Sequence, residues 1–145
     1  MAKRSRRKQE QQKQYIIGSV ILLVLIAFFV IINTSAPGAD ASSQLPLVIS
    51  VQEAYVFREN GAFILDVRTQ AEWDEGHIPG ATLIPLDELP NRLSEVPEGT
   101  DIVVVCRTGN RSAEGRDILL SAGFPAVTSM DGGVSEWQAM GFPFE

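Results

Sequence analysis

Cys106 is the single cysteine of a 145-residue chain, and it ends the most β-branched run in the sequence, Asp101–Cys106 (DIVVVC). One thiol excludes an intramolecular disulfide framework and any multi-cysteine metal cluster. Arg107-Thr108-Gly109-Asn110-Arg111-Ser112 follows it directly. Glycine and asparagine tolerate positive φ, so this loop can curl ahead of the helix predicted from Ser112. A curled loop before a helix N-terminus turns its N–H groups inward as an anion nest, and the positive end of the helix dipole adds to that field. Both favour a thiolate. Cys106 is therefore expected to be a half-exposed nucleophile of depressed pKa, held by the backbone of residues 107–112. Arg107 and Arg111 are two of only six cations after residue 32, placed where an anionic substrate would approach. The competing reading is a buried core thiol closing a strand, the commoner fate of a lone cysteine.

Three more residues are candidates for the same neighbourhood. Asp66 and Arg68 could be catalytic. The plainer reading is a structural pair that organises adjacent loops, since a buried strand Asp needs a partner. His77 is the only histidine and a candidate general base. A thiolate activated by amides needs no base, so a hydrogen-bonded structural role is the expectation. Trp73 and Trp137 read as core aromatics, and Gly132-Gly133 as a tight turn that could line a pocket rim. The acids Asp74-Glu75, Asp87-Glu88, Glu95 and Glu98 read as solvated surface, not a metal site.

The elements that must position these residues alternate along the chain. Leu47–Ile49 is a candidate strand. Ser50 with Glu53 makes a capping box for a helix running to Asn60-Gly61. Phe63–Val67 is an apolar run broken by one Asp, as in a buried parallel strand. Thr69 can cap a short helix over Gln70–Glu75 that Gly76 ends. Ile78-Pro79-Gly80 is a turn, Thr82–Ile84 a short strand and Asp87–Leu93 a weak helix. Ser112–Ala122 has helical periodicity and stops at Gly123. Val127–Met130 is a further strand, followed by a helix over Val134–Met140. Strands alternating with helices predict an α/β domain, a parallel sheet with helices on both faces, in which ligands bind beyond the carboxyl ends of the strands.

Charge divides the chain. Residues 1–14 carry six basic side chains against one acid, residues 15–32 carry none, and residues 33–145 carry six arginines against 17 acids. A net-acidic domain is a poor nucleic-acid binder, so no nucleic-acid partner is expected. Tyr15–Ile32 (YIIGSVILLVLIAFFVII) would make a helix about 27 Å long, close to a bilayer's hydrocarbon thickness. The basic residues before it predict a cytoplasmic arm (1–14), one transmembrane helix (15–32) and an extracytoplasmic remainder. A cleaved signal peptide is the alternative, with 15–32 as its h-region and Thr34-Ser35-Ala36 or Ala39-Asp40-Ala41 as the cleavage site; the mature protein would then be secreted. Residues 33–44 (NTSAPGADASSQ) read as a flexible linker, leaving 45–145 as one modest globular domain.

Three blocks within 45–145 resemble the rhodanese (sulfurtransferase) domain family. The first is Leu65-Asp66-Val67-Arg68 with Glu72-Trp73 and Gly76-His77-Ile78-Pro79-Gly80-Ala81. The second is Val104–Ser112 around Cys106. The third is Asp131-Gly132-Gly133 with Trp137 and Gly141-Phe142-Pro143. The resemblance implies a rhodanese-like parallel sheet and a persulfide mechanism without metal or organic cofactor. Cys106 would take sulfur from thiosulfate or a related small anionic donor and pass it to cyanide, a thiol or a protein acceptor. It also assigns the loop of His77 to architecture. Cysteine phosphatases have a similar loop with arginine one residue later, at the position Ser112 occupies, so phosphatase activity is not expected. The alternative function is a binding module that carries a persulfide to one protein partner, or senses oxidants, with little small-molecule turnover.

Overall fold

The structure is a computed structural model and describes residues 45–145. The predicted basic arm, membrane segment and linker lie outside the described residues. Among the described residues no helix is long and apolar enough to cross a membrane.

Five strands form one sheet: β1 (Val48–Ile49), β2 (Phe63–Asp66), β3 (Thr82–Leu83), β4 (Ile102–Val105) and β5 (Val127–Met130), in the order β1-β5-β4-β2-β3 with every pairing parallel. Four helices connect them: α1 (Val51–Glu59), α2 (Gln70–Asp74), α3 (Asn110–Ser121) and α4 (Gly133–Ala139). β2 pairs outward with β3, and the chain then returns to lay β4 on the other side of β2. The strand order therefore reverses between β2 and β4, where a crevice opens at the carboxyl ends of a parallel sheet. Asp66 and Val105 stand opposite each other at that point, one residue short of Cys106.

The sheet is buried on both sides. Val103 and Val105 of β4 face a core with Ile64, Met130, Val51 and Ala54 of α1, and Val134 and Trp137 of α4. Ile102 and Val104 face the opposite core with Leu65, Val127, Ile84, Leu89 and Leu119 of α3. This is why β4 reads as an unbroken apolar run rather than an alternating one. Gly115 lets α3 lie close on the sheet, since a Cβ there would meet Val104 at 3.1 Å and Val67 at 3.3 Å.

The Ser50–Glu53 capping box forms, and Thr69 caps α2 as expected, within a second capping box with Glu72. Two expectations need correction. The weak helix over Asp87–Leu93 is instead two 3₁₀ turns, Leu89–Asn91 and Leu93–Glu95. Pro90 removes a donor N–H and disfavours helical backbone at Leu89, so no α-helix propagates. The helix expected from Ser112 begins two residues earlier, at Asn110, because Gly109 adopts φ +106° and turns the loop directly into the first helical turn.

Candidate active site

Side chains alternate across a strand, so Cys106 continues the Ile102–Val104 side of β4 and packs in the α3-facing core. Its surface is only 1% exposed. The half-exposed thiol expected from sequence is thus covered, packed among the apolar side chains of that core. The neighbouring amides nevertheless face the sulfur. The N–H of Gly109 donates to Sγ at 3.2 Å, and the Ser112 hydroxyl lies 3.7 Å away. Burial pushes the Cys106 thiol up. The backbone N–H groups of Thr108, Ser112 and Gly109, with the Ser112 hydroxyl, outweigh that and bring it below its ordinary value.

The loop keeps this shape through α4. Val134 N–H donates to the Cys106 carbonyl at 2.8 Å and Ser135 N–H to the Arg107 carbonyl at 3.1 Å. In a trans peptide the N–H points opposite its C=O. Anchoring those two carbonyls on α4 therefore turns the N–H groups of Arg107 and Thr108 away from α4. Gly133 makes the approach possible. It sits at φ +61°, and a Cβ on it would come within 2.4 Å of the Arg107 carbonyl carbon and oxygen. From the other side, Ser112 is fully buried and donates its hydroxyl to the Gly109 carbonyl at 2.7 Å, with the Met130 carbonyl at 3.3 Å. Thr108 and Asn110 have exposed side chains and contribute backbone to the loop.

Side chains build the rim. Asp66 is fully buried and bound by Arg68 through its Nε and Nη2 at 2.7–3.0 Å. Arg68 also donates to the carbonyls of Glu72 and Gly76, both at 2.9 Å, and so ties the end of β2 to α2. Arg111, expected to meet an anionic substrate, is instead held by both Glu72 carboxylate oxygens at 2.7 Å. Its charge is offset, which corrects the picture of two free cations. The Arg111 pairing, strengthened by Thr69 donors and opposed by partial burial, lowers the Glu72 carboxyl to about 2. Arg107 is exposed and, among the described residues, is the one arginine with no carboxylate within 4 Å. A cleft of about 150 Å³ lies against it, and its lining includes Arg68, the acids Glu72 and Glu75, Gly76 and Phe144. His77 is turned away from the thiol: its ring stacks on Trp73 at 3.7 Å and its Nε2 lies 3.6 Å from Glu145 Oε1.

Two contributors have a different role from the one expected from sequence. Glu72 enters there only through the first block that resembles the family, with nothing local to pair it with Arg111. Gly133 is visible as half of a glycine pair, the usual mark of positive φ, without its target.

The family described as Rhodanese-like domain matches residues 50–140. A protein named sulfurtransferase from Allochromatium vinosum is 38% identical over 80 residues, which are 55% of this chain and 75% of that protein. Thiosulfate sulfurtransferase 16, chloroplastic, of Arabidopsis thaliana is 34% identical over 113 residues, 70% of this chain and 94% of its own. The solution structure of the rhodanese-like domain of the Anabaena protein Alr3790 shares 30% identity and a TM-score of 0.63, covering 70% of this chain and 80% of that one.

Proposed function

The chain belongs to the rhodanese-like domain family, and from that premise we propose that it transfers sulfane sulfur through a persulfide on Cys106. The Cys106 thiolate attacks the outer sulfur of thiosulfate. The new bond is Cys106 S–S; the S–S bond of thiosulfate breaks, and its electron pair leaves with sulfite. A nucleophilic acceptor, cyanide or a thiolate, then attacks the outer persulfide sulfur, and the Cys106 thiolate is released. Two half-reactions through one covalent intermediate give ping-pong kinetics. The outer sulfur of the persulfide carries the negative charge, so the amides that lower the thiol's pKa are the donors expected to stabilise the intermediate. Arg107 supplies the unpaired positive charge for the incoming dianion.

The observation that carries this reading is the Gly109 N–H hydrogen bond to Sγ at 3.2 Å with the Ser112 hydroxyl 3.7 Å away. The test is thiosulfate:cyanide sulfurtransferase activity of the purified full chain with Cys106→Ser as control. Turnover that vanishes in the variant is expected. Folded protein without turnover on several sulfur donors, or turnover that survives in the variant, overturns it. The near-complete burial of Cys106 favours one second reading, a persulfide carrier, because a covered persulfide is sheltered from small acceptors. Mass spectrometry separates the two: a one-sulfur adduct lost on adding cyanide marks the enzyme, one retained marks the carrier.

A further inference from the structure

Asp131 follows β5 directly, and its backbone N–H donates to the Ile49 carbonyl at 2.9 Å. Its carboxylate Oδ1 accepts the Gly132 N–H at 2.9 Å. The same oxygen stands against Gly109, where a Cβ would meet it at 3.0 Å. Gly109 is also the residue whose N–H donates to Cys106 Sγ at 3.2 Å. Those two lengths, joined through the fixed geometry of one residue, put Asp131 Oδ1 at most about 9 Å from the sulfur. The Asp131 side chain is exposed, and among the described residues no cation lies within 4 Å of it. Asp66 and Glu72, by contrast, are each held by an arginine. Glu136 lays its carboxylate against Gly132 and adds charge of the same sign. Asp131 is thus an uncompensated negative charge tied to the loop of Cys106, as Arg107 is an uncompensated positive one. The shape of the turn does not require that charge, because the side-chain carbonyl of an asparagine would accept the Gly132 N–H equally well.

We infer that Asp131 is a specificity-determining residue, whose charge weights the site against doubly charged sulfur donors relative to singly charged ones. The inference rests on the reading that Cys106 takes sulfur from a sulfane donor. A donor whose outer sulfur meets Sγ brings its remaining charge within the field of the Asp131 carboxylate, whichever way it enters. Every anionic donor is repelled by that carboxylate and attracted by Arg107, and a dianion feels both effects more than a monoanion does. Alkyl thiosulfonates are the singly charged class closest to thiosulfate, with an alkyl group in place of one charged oxygen. They react by the same balance of atoms: the Cys106 thiolate takes the outer sulfur, the S–S bond breaks, and an alkyl sulfinate leaves with the electron pair in place of sulfite. With methyl as the alkyl group the size hardly changes, and the contrast between the two donors is one of charge.

The experiment measures kcat/KM for thiosulfate and for methanethiosulfonate on the full chain, with cyanide as acceptor, at low salt and again at high salt. In ping-pong kinetics this constant reports the donor half-reaction alone. The ratio of the two cancels any general damage and any change in the thiolate population, since both donors use the same thiol. Asp131→Asn is expected to raise the thiosulfate-to-methanethiosulfonate ratio about threefold at low salt, the scale of one pair of charges at this distance in water-exposed surroundings. Asp131→Lys reverses the charge, is expected to raise it about tenfold, and serves if the asparagine variant fails to fold. Both gains should fade at about 1 M salt, where the screening length falls to about 3 Å. A low-salt ratio within 1.5-fold of wild type in the folded variants, or a gain that survives about 1 M salt, overturns the inference while leaving sulfur transfer intact. Wild-type protein that turns over neither donor overturns the underlying reading instead, and the inference with it.

Discussion

The loop around Cys106 has an inner surface of backbone and an outer rim of side chains, and they are held by different means. Inside, two carbonyls are fixed on α4, one on the Ser112 hydroxyl, and the amides left over point at the sulfur. Outside, an Asp66–Arg68–Glu72–Arg111 chain braces the rim, Phe144 lies on Gly76, and Arg107, among the described residues, has no carboxylate partner. The inner surface admits almost no side-chain variation, because planar peptides and two positive-φ glycines set it. The rim is made of groups that could be exchanged one at a time. Reactivity should therefore belong to the inside, shared by every substrate, and selection to the rim.

The sharpest way to break that division is Gly133→Ala. The new Cβ would overlap the Arg107 carbonyl and sit in the left-handed region, which costs on the order of 1 kcal/mol or more in strain. To relieve it, α4 must withdraw from the loop and release the two carbonyls, and the loop amides then lose their aim. A loss of about a hundredfold in kcat/KM, equal for all donors, is expected from a displacement of this kind. Steady-state kinetics with two donors checks it. An unequal loss would mean that the inner surface also selects.

How much of this is legible in the sequence follows the same boundary. The strand before Cys106 and the turn-forming glycine after it are local signals, and they lead to the amide nest directly. The start of α3 is displaced by two residues because Ser112 has the type of an N-cap residue, yet its hydroxyl serves the Gly109 carbonyl inside the first turn, while the capping position is a glycine without side chain. The rim is where reading fails. Arg111 and Glu72 are 39 residues apart, and nothing near either one announces the pair. Phe144 against Gly76 is the same case. Parallel sheets bring distant segments together at strand ends, so contacts there carry no periodic trace.

The two arginines of the loop sharpen the comparison on the rim itself. Arg107 is unpaired, so Arg107→Gln removes positive charge from the donor's path and is expected to raise KM for thiosulfate roughly fivefold, the weight of about 1 kcal/mol at an exposed charge. Glu72→Gln acts in the opposite sense. It removes the partner that offsets Arg111, and KM is expected to fall about twofold. Both should leave kcat nearly unchanged, because neither group touches the sulfur. If Glu72→Gln raises KM instead, the carboxylate matters for placing Arg111 and not for masking its charge.

The smallest effect expected is the acid stability of that pair. Folding lowers the Glu72 carboxyl from an ordinary 4.5 to about 2, so the folded state prefers it ionised. A depressed carboxyl contributes stability in full above pH 4.5, and loses it as the pH falls from there toward 2. Arg111 and Glu72 are partly exposed, at 34% and 20%, so solvent screening keeps the contribution below about 1 kcal/mol. Glu72→Gln isolates it, since glutamine at the third position still completes the capping box with Thr69. Thermal unfolding of wild type and variant should differ by a small constant amount above pH 4.5, and the two curves should converge below it. A gap that persists unchanged down to pH 2 would mean that the pairing does not depend on the carboxylate's charge, and the bracing of this flank would then come from the Arg68 hydrogen bonds to the Glu72 and Gly76 carbonyls, which do not titrate.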